Sequence, residues 1–254
     1  MYKRQTNLIG LGLSAAAGGL AAYLIIRRSK KVPTPKEVKF TYFDIKAHVG
    51  EKVRLALALS GTDFKDNRVA FADWTALKPT MKYGTLPVID VDGKLYHQSA
   101  AILRWAGRLG DGSLYPVDDI ETFMAIEEML GLAADMASAW MPCLFTSMGR
   151  HEKYGHPKEW KEKDETVKRL RETFVAEQLP AFMAHLTTQL EKTGAFVAGD
   201  KPTIADCQLL PQVKYYCSGI ADHVPKTCLD QFPVVLAWID RMHRLPALKK
   251  WYHL

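Results

Sequence analysis

The run from Gly84 to Ser99, G-T-L-P-V-I-D-V-D-G-K-L-Y-H-Q-S, holds the residues of this chain whose types and spacing best suit a ligand. Val88, Ile89 and Val91 are β-rich, Asp92-Gly93 is a two-residue turn signal, and Lys94 to His97 begins a second short strand, so a hairpin is predicted. Pro87 stands at the first residue of that hairpin, where proline is tolerated. The amide groups of Leu86 are then free to pair with something other than the sheet, such as a peptide-like ligand. Gln98-Ser99 precedes the apolar run Ala100, Ala101, Ile102, Leu103, Trp105 and Ala106, which puts Ser99 at a helix N-terminus. Free N–H groups and the positive end of a helix dipole there suit a carboxylate. The four cysteines (Cys143, Cys207, Cys217, Cys228) are scattered, with no C-x-x-C and no histidine at metal-ligand spacing. They read as reduced thiols in a cytosol-like compartment, and none is placed to act as a nucleophile beside the hairpin.

The elements that must position these groups follow from the rest of the chain. Val38 to Phe43 alternates as a strand, Glu51 to Ser60 is a helix ended by Gly61, and Phe64 to Val69 is a second strand. An irregular loop carrying Trp74 and Lys78 leads to the hairpin and then to the helix from Ser99 to Leu109, giving β-α-β-α-β-β-α. From Ile120 onward every strong segment is helical: Ile120 to Met148, about Glu162 to Lys192 with a kink at Pro180, and a further helix opened by Pro233 and ended by Pro246. Gly149 to Asp164 reads as a solvated turn, and Thr203 with Asp206 has capping-box spacing.

At 254 residues, with 48% hydrophobic and 24% charged residues, the chain has enough apolar side chains for a sizeable core. Its net charge of +6 is unevenly placed. Residues 1 to 39 carry eight basic side chains against one acidic, and the remainder carries 26 basic against 27 acidic. A nucleic-acid partner needs a basic face on the folded part, so none is expected. Leu8 to Ile26 is nineteen residues without a charge. As a helix it is about 28 Å long, close to a bilayer's hydrocarbon thickness. The heavier basic flank (Arg27, Arg28, Lys30, Lys31) predicts an uncleaved anchor with the folded part in the cytoplasm, at the endoplasmic reticulum or the mitochondrial outer membrane, with a cleaved signal or transit segment and a buried helix as the alternatives. Val32 to Lys36 is a short stiff linker.

Four stretches in order, F-T-Y-F at 40 to 43, D-N-R-V with A-D-W-T-A-L-K between 66 and 78, the Gly84 to Ser99 run, and T-I-A-D at 203 to 206, resemble the glutathione transferases. The likeness is strongest to the sigma class, which includes haematopoietic prostaglandin D synthase. It implies an α/β thioredoxin-like N-terminal domain at 38–115 and an all-α C-terminal domain at 116–254, preceded by an anchor and linker at 1–37. It further implies glutathione as co-substrate, a small hydrophobic electrophile as second substrate, and a homodimer.

By that resemblance Tyr42 donates a hydrogen bond to the glutathione sulfur, whose free thiol has a pKa of about 8.5. Leu86, ahead of Pro87, pairs with the cysteinyl unit, Gln98 and Ser99 hold the γ-glutamyl carboxylate, and Trp74 and Lys78 face the glycyl carboxylate. Asp135 aligns with an acid that reaches the neighbouring subunit's ligand, and Met136, Trp140 and Leu144 are candidates for the electrophile cleft. Two departures stand out. The loop from Tyr42 to Glu51 is one residue longer than the family pattern, and Val49 or His48 stands where an arginine is expected; Lys46 or His48 could supply its charge. The positions of the prostaglandin synthase's acidic metal site read Gly131, Ala134 and Asp135, so no metal is expected. The altered loop leaves a ligand-binding relative without useful catalysis as one alternative. A glutathione-dependent lipid peroxidase or prostaglandin isomerase is another.

Overall fold

Alternation of buried and part-exposed residues builds the first strand, β1 (Val38–Phe43), in which Val38, Phe40 and Tyr42 face the core. The computed structural model describes residues 32–45 and 48–254; residues 8–26, on which the anchor expectation rests, lie outside them. β1 is followed by α1 (His48–Leu59) and then by β2 (Lys65–Val69), which pairs with β1 in parallel. β3 (Val88–Val91) lies antiparallel on the other side of β1, and β4 (Lys94–His97) closes the sheet, whose strand order is β2-β1-β3-β4. The hairpin turn has positive φ at both Asp92 (51°) and Gly93 (82°), as a two-residue turn matched to strand twist requires. Asp92 Oδ1 also accepts from the backbone N–H groups of Lys36 and Glu37 at 2.8 and 2.9 Å, which fixes where the chain enters β1.

Between β2 and β3 the chain forms a short helix, α2 (Trp74–Leu77), flanked by single 3-10 turns. After β4, α3 (Ser99–Gly107) packs on α1. The remaining elements are helical: α4 (Ile120–Ser147), α5 (Lys163–Thr173), α6 (Leu179–Thr193), α7 (Ile204–Cys217), α8 (Pro233–Arg244) and α9 (Pro246–Tyr252). A π turn at Phe174–Gln178 joins α5 to α6. It falls just before Pro180, which cannot donate to the carbonyl of Ala176, so the predicted kink takes the form of a widened turn. The helix opened by Pro233 ends before Pro246, as predicted, and the short tail expected after it is itself helical, with Pro246 opening α9, where proline is tolerated in a first helical turn. The segment expected to be a solvated turn holds a 3-10 helix, His151–Tyr154, with His151 buried.

The capping box forms as predicted and is extended. Asp206, fully buried, accepts from Thr203 N (2.8 Å) and Thr203 Oγ1 (2.9 Å), and also from Val197 N (3.1 Å) and Trp238 Nε1 (2.9 Å). One carboxylate thus ties the start of α7 to α8 and to the preceding loop. α4 is long and apolar enough to cross a membrane by length and composition, but Ile126, Met129, Ala133, Met136 and Trp140 are buried within the protein, which makes it a core helix.

The most informative element is α1. It packs against β1, α3, α7 and α9, so all of Glu51 to Leu57 is buried, and three charged side chains go inside with it. Each finds a different solution. Glu51 Oε1 accepts from Trp251 Nε1 of α9 at 2.9 Å, Lys52 Nζ donates to Gln208 Oε1 of α7 at 2.6 Å, and Arg54 is enclosed by carboxylates and carbonyls.

Candidate active site

Strand register sets which residues meet. Thr41 pairs with Val88 and Val88 pairs with His97, so the next residues outward are Tyr42 after Thr41, Pro87 before Val88 and Gln98 after His97, all at one end of the sheet. The Leu86-Pro87 bond is cis. Gln98 has φ 72° and ψ 107°, a conformation non-glycine residues rarely adopt, and it leads directly into Ser99 at the start of α3. The row therefore carries a tyrosine, a backbone segment outside the strand pairing, and the open N-terminus of a nine-residue helix.

Trp74 and Lys78 reach the same end from the loop after β2. The Trp74 ring meets Phe43 edge-on at 5.3 Å between centroids, and Phe43 stacks on Phe71 at 4.8 Å. The Lys78 side chain lies over Gly84, where an added Cβ would come within 3.6 Å of its Cε. Lys78 and Gln98 are exposed, Trp74, Leu86 and Ser99 half-buried, and Pro87 and Tyr42 buried. Asp135 is exposed on α4, and among the described residues no hydrogen bond or ion pair joins it to this row.

Burial pushes the Tyr42 hydroxyl up to about 12, with the nearby Arg54 charge acting in the opposite direction. At neutral pH it is therefore a protonated donor and not a base. Arg54 stands over the Tyr42 ring at 5.7 Å and over Phe40 at 5.5 Å. Val49, at the position where the resemblance places an arginine, contributes an apolar wall instead. Lys46 lies outside the described residues, as does the side chain of His48, so the described cation beside Tyr42 is Arg54.

Gly50 is a site residue that the sequence pattern does not single out. A Cβ at this position would drive into Cδ1 and Cγ of Tyr42, so the absence of a side chain here lets the ring lie against α1. The expected result for Gly50→Ala is a loss of roughly 1–3 kcal/mol of stability, the cost of overpacking, as the Tyr42 ring is forced off α1. A thermal melt of the variant would check it, and an unchanged Tm would mean that the ring's seat on Gly50 is irrelevant.

Beside this row a pocket of about 110 Å³ is walled by Val49 of α1, Trp140 and Leu144 of α4, and Gln208, Gln212 and Tyr216 of α7. Trp140 and Leu144 thus face the pocket as the sequence suggests. Met136 does not: it is 1% exposed and belongs to the core, although its neighbour Ala137 lines the pocket, because it falls off the helix face that carries Ala137, Met141 and Leu144. The arrangement can present a protonated hydroxyl at the edge of an extended-peptide cradle, next to an apolar recess with amide groups at one side.

Residues 150–253 match the family model for the glutathione S-transferase C-terminal domain. Over 217 residues the chain is 30% identical to glutathione S-transferase 1 of Ascaris suum, covering 85% of this chain and 95% of that protein. It is 29% identical over 217 residues to the hematopoietic prostaglandin D synthase of Gallus gallus, covering 84% and 94%. The crystal structure of the glutathione S-transferase from Ascaris lumbricoides superposes with a TM-score of 0.67 at 28% identity, covering 85% of this chain and 96% of that one. With nearly the full length of an enzyme 30% identical to it matched, and the α/β and helical parts in the same order, the chain belongs to the glutathione S-transferase family.

Proposed function

We propose that this chain is a sigma-type glutathione transferase that joins the glutathione sulfur to small apolar electrophiles. The observation that carries the reading is the strand register, which sets a buried, protonated tyrosine hydroxyl beside a free backbone segment and a helix N-terminus. Glutathione is a tripeptide with a strand-like backbone and two carboxylates, and this row offers a partner for each. The backbone of Leu86 pairs with the cysteinyl unit, Gln98 and Ser99 take the γ-glutamyl carboxylate, and Trp74 and Lys78 face the glycyl carboxylate.

The thiol proton leaves to solvent, and the Tyr42 O–H donates to the sulfur anion. The sulfur lone pair then forms a C–S bond to an electrophile held against Val49, Trp140 and Leu144, while the leaving group or the displaced π electrons take the charge. A hydrogen bond to an anion is stronger than one to a neutral thiol, so the hydroxyl favours the ionised form.

Two further features complete the proposal. A homodimer is supported by Leu95 and Tyr96, exposed at 61% and 51% on edge strand β4, and Asp135 in such a dimer serves the neighbouring ligand. Attachment to a membrane rests on the uncharged run Leu8 to Ile26.

The test is a pH titration of the thiolate absorbance of glutathione bound to the full chain, combined with turnover of 1-chloro-2,4-dinitrobenzene. Ionisation well below the free value of about 8.5 is expected; ionisation at the free value, with no turnover, would make the fold a binding module. Ser99→Ala and Lys78→Ala should each raise the KM for glutathione roughly ten-fold, as loss of a charge-assisted contact does, with little change in kcat. Unchanged KM in both would remove the helix N-terminus and the loop from the peptide site.

A further inference from the structure

Lys52 carries a charge in the wrong place for a stability device. It is 5% exposed, and among the described residues no carboxylate lies within ion-pair distance of it. Among the described residues its side-chain hydrogen bond goes to Gln208 Oε1 at 2.6 Å. Burial, with Arg104 adding repulsion, pulls its pKa down to about 8, so it is still cationic at neutral pH. A buried ammonium without a counterion is unfavourable unless something anionic compensates it.

Its position relative to the pocket is fixed by helix geometry. Val49 and Lys52 are three residues apart on α1 and so lie on one face, and Val49 walls the pocket. Gln208 and Gln212, four apart on α7, also wall it. Because Lys52 has donors only, it holds the Gln208 carbonyl oxygen toward itself and turns the amide nitrogen the other way. Gln208 Nε2 donates to Gln212 Oε1 at 3.2 Å, and Gln212 Nε2 donates to the carbonyl of Ala133 at 2.9 Å. Gln212 also hydrogen-bonds the Tyr216 hydroxyl, so it is the second N–H of Gln208 Nε2 that the relay, polarised in one direction by the cation behind it, can offer.

We propose that Lys52, acting through Gln208 and Gln212, makes one side of the acceptor pocket a site for an anionic group, so that the enzyme selects electrophiles bearing a carboxylate. This rests on the transferase reading for the identity of the pocket, but the carboxylate site can be tested without turnover. Lys52 is a specificity-determining residue here and takes no part in activating the thiol. A carboxylate in the pocket supplies the counterion that the described residues do not provide.

The experiment uses the full chain and two non-reactive probes of matched shape, 4-nitrobenzoate and nitrobenzene, with binding followed by quenching of tryptophan fluorescence. The wild type should bind the benzoate more tightly. Lys52→Met, which keeps the length of the side chain and removes a desolvated charge, should weaken the benzoate about ten-fold or more, as expected for a unit charge a few ångströms away in a partly buried site. Nitrobenzene should change less than about two-fold, since its contacts are apolar. Lys52→Gln keeps a donor for Gln208 without the charge and should behave like Lys52→Met, whereas Lys52→Arg should keep the preference. Parallel turnover of 4-chloro-3,5-dinitrobenzoate and 1-chloro-2,4-dinitrobenzene should show the same split in KM. Equal losses for both probes in Lys52→Met, or retention of the benzoate preference in Lys52→Gln, would overturn the proposal. Failure of turnover with the binding split intact would instead count against the transferase reading.

Discussion

Tyr42→Phe is expected to lower kcat by roughly ten- to hundred-fold, the equivalent of one hydrogen bond to a charged group. The KM for glutathione should stay within about two-fold, because the peptide contacts proposed for Leu86, Gln98, Ser99 and Lys78 are untouched and bind ground state and transition state alike. The physical basis is the state of the hydroxyl. Burial raises its pKa to about 12, so at neutral pH it gives a proton to a hydrogen bond but does not take one away. Removing it should let the bound thiol's pKa climb back toward the free value of about 8.5. The rate deficit should then shrink as the pH is raised through that range, since the thiol there ionises without the hydroxyl's stabilisation. Stopped-flow kinetics between neutral and alkaline pH would show it. A deficit that stays constant with pH would mean that Tyr42 orients the sulfur but does not ionise it.

Much of the fold and of the candidate site is legible in the sequence because it is written in local chemistry. Asp92-Gly93 can adopt two positive φ values, so the hairpin and its register follow from the dipeptide. That register carries Pro87 and Gln98 to one end of the sheet, and the pairing of β1 with β3 adds Tyr42 to them. Thr203 and Asp206 form their capping box from spacing alone. What stays hidden is what depends on residues far apart in the chain. Lys52 and Arg54 in E-K-V-R read as the polar positions of an ordinary helix; it is the packing of α7 over α1 that covers Lys52, and the packing of α1 on β1 and its neighbour β2 that encloses Arg54. Trp251 reads as part of a short basic and aromatic tail until α9 brings its Nε1 back across 200 residues to donate to Glu51. Met136 and Trp140 share a helical stripe, and which of them reaches the pocket depends on where α7 crosses α4. Gly50 has a reason only once the Tyr42 ring is in place.

Arg54→Met should have the largest effect on the folded state and should reach the active site as well. The guanidinium is fully buried: its Nε donates to Asp66 Oδ1 at 3.0 Å, Nη1 donates to the carbonyl of Ile45 at 2.8 Å and to Glu51 Oε2 at 3.4 Å, and Nη2 donates to the carbonyl of Phe43 at 3.2 Å. Methionine fills much of the volume but leaves the fully buried Glu51 carboxylate without its counter-charge and removes the guanidinium donor from two carbonyls, of which Phe43 keeps its bond from Ile45 N at 2.8 Å. Breaking a buried pair from one side costs about 3–5 kcal/mol. For a chain of this size each kcal/mol lowers Tm by roughly 2–4 °C, so a fall on the order of 6–20 °C is expected in a thermal melt. The two carbonyls belong to the residues that follow Tyr42, so the loop leading from the hydroxyl into α1 loses its tether. At a temperature well below the melt, kcat should still fall, and the bound thiol should ionise less readily because the cation beside the Tyr42 ring is gone. Arg54→Lys separates the two effects: it keeps a charge near Glu51 but cannot span Asp66 and both carbonyls, so it should recover part of the thiol shift and little of the stability. If Arg54→Met melts as low as expected and the surviving fold still ionises bound glutathione normally, Arg54 only holds the sheet to α1, and the charge that the missing arginine would have supplied is not replaced by Arg54.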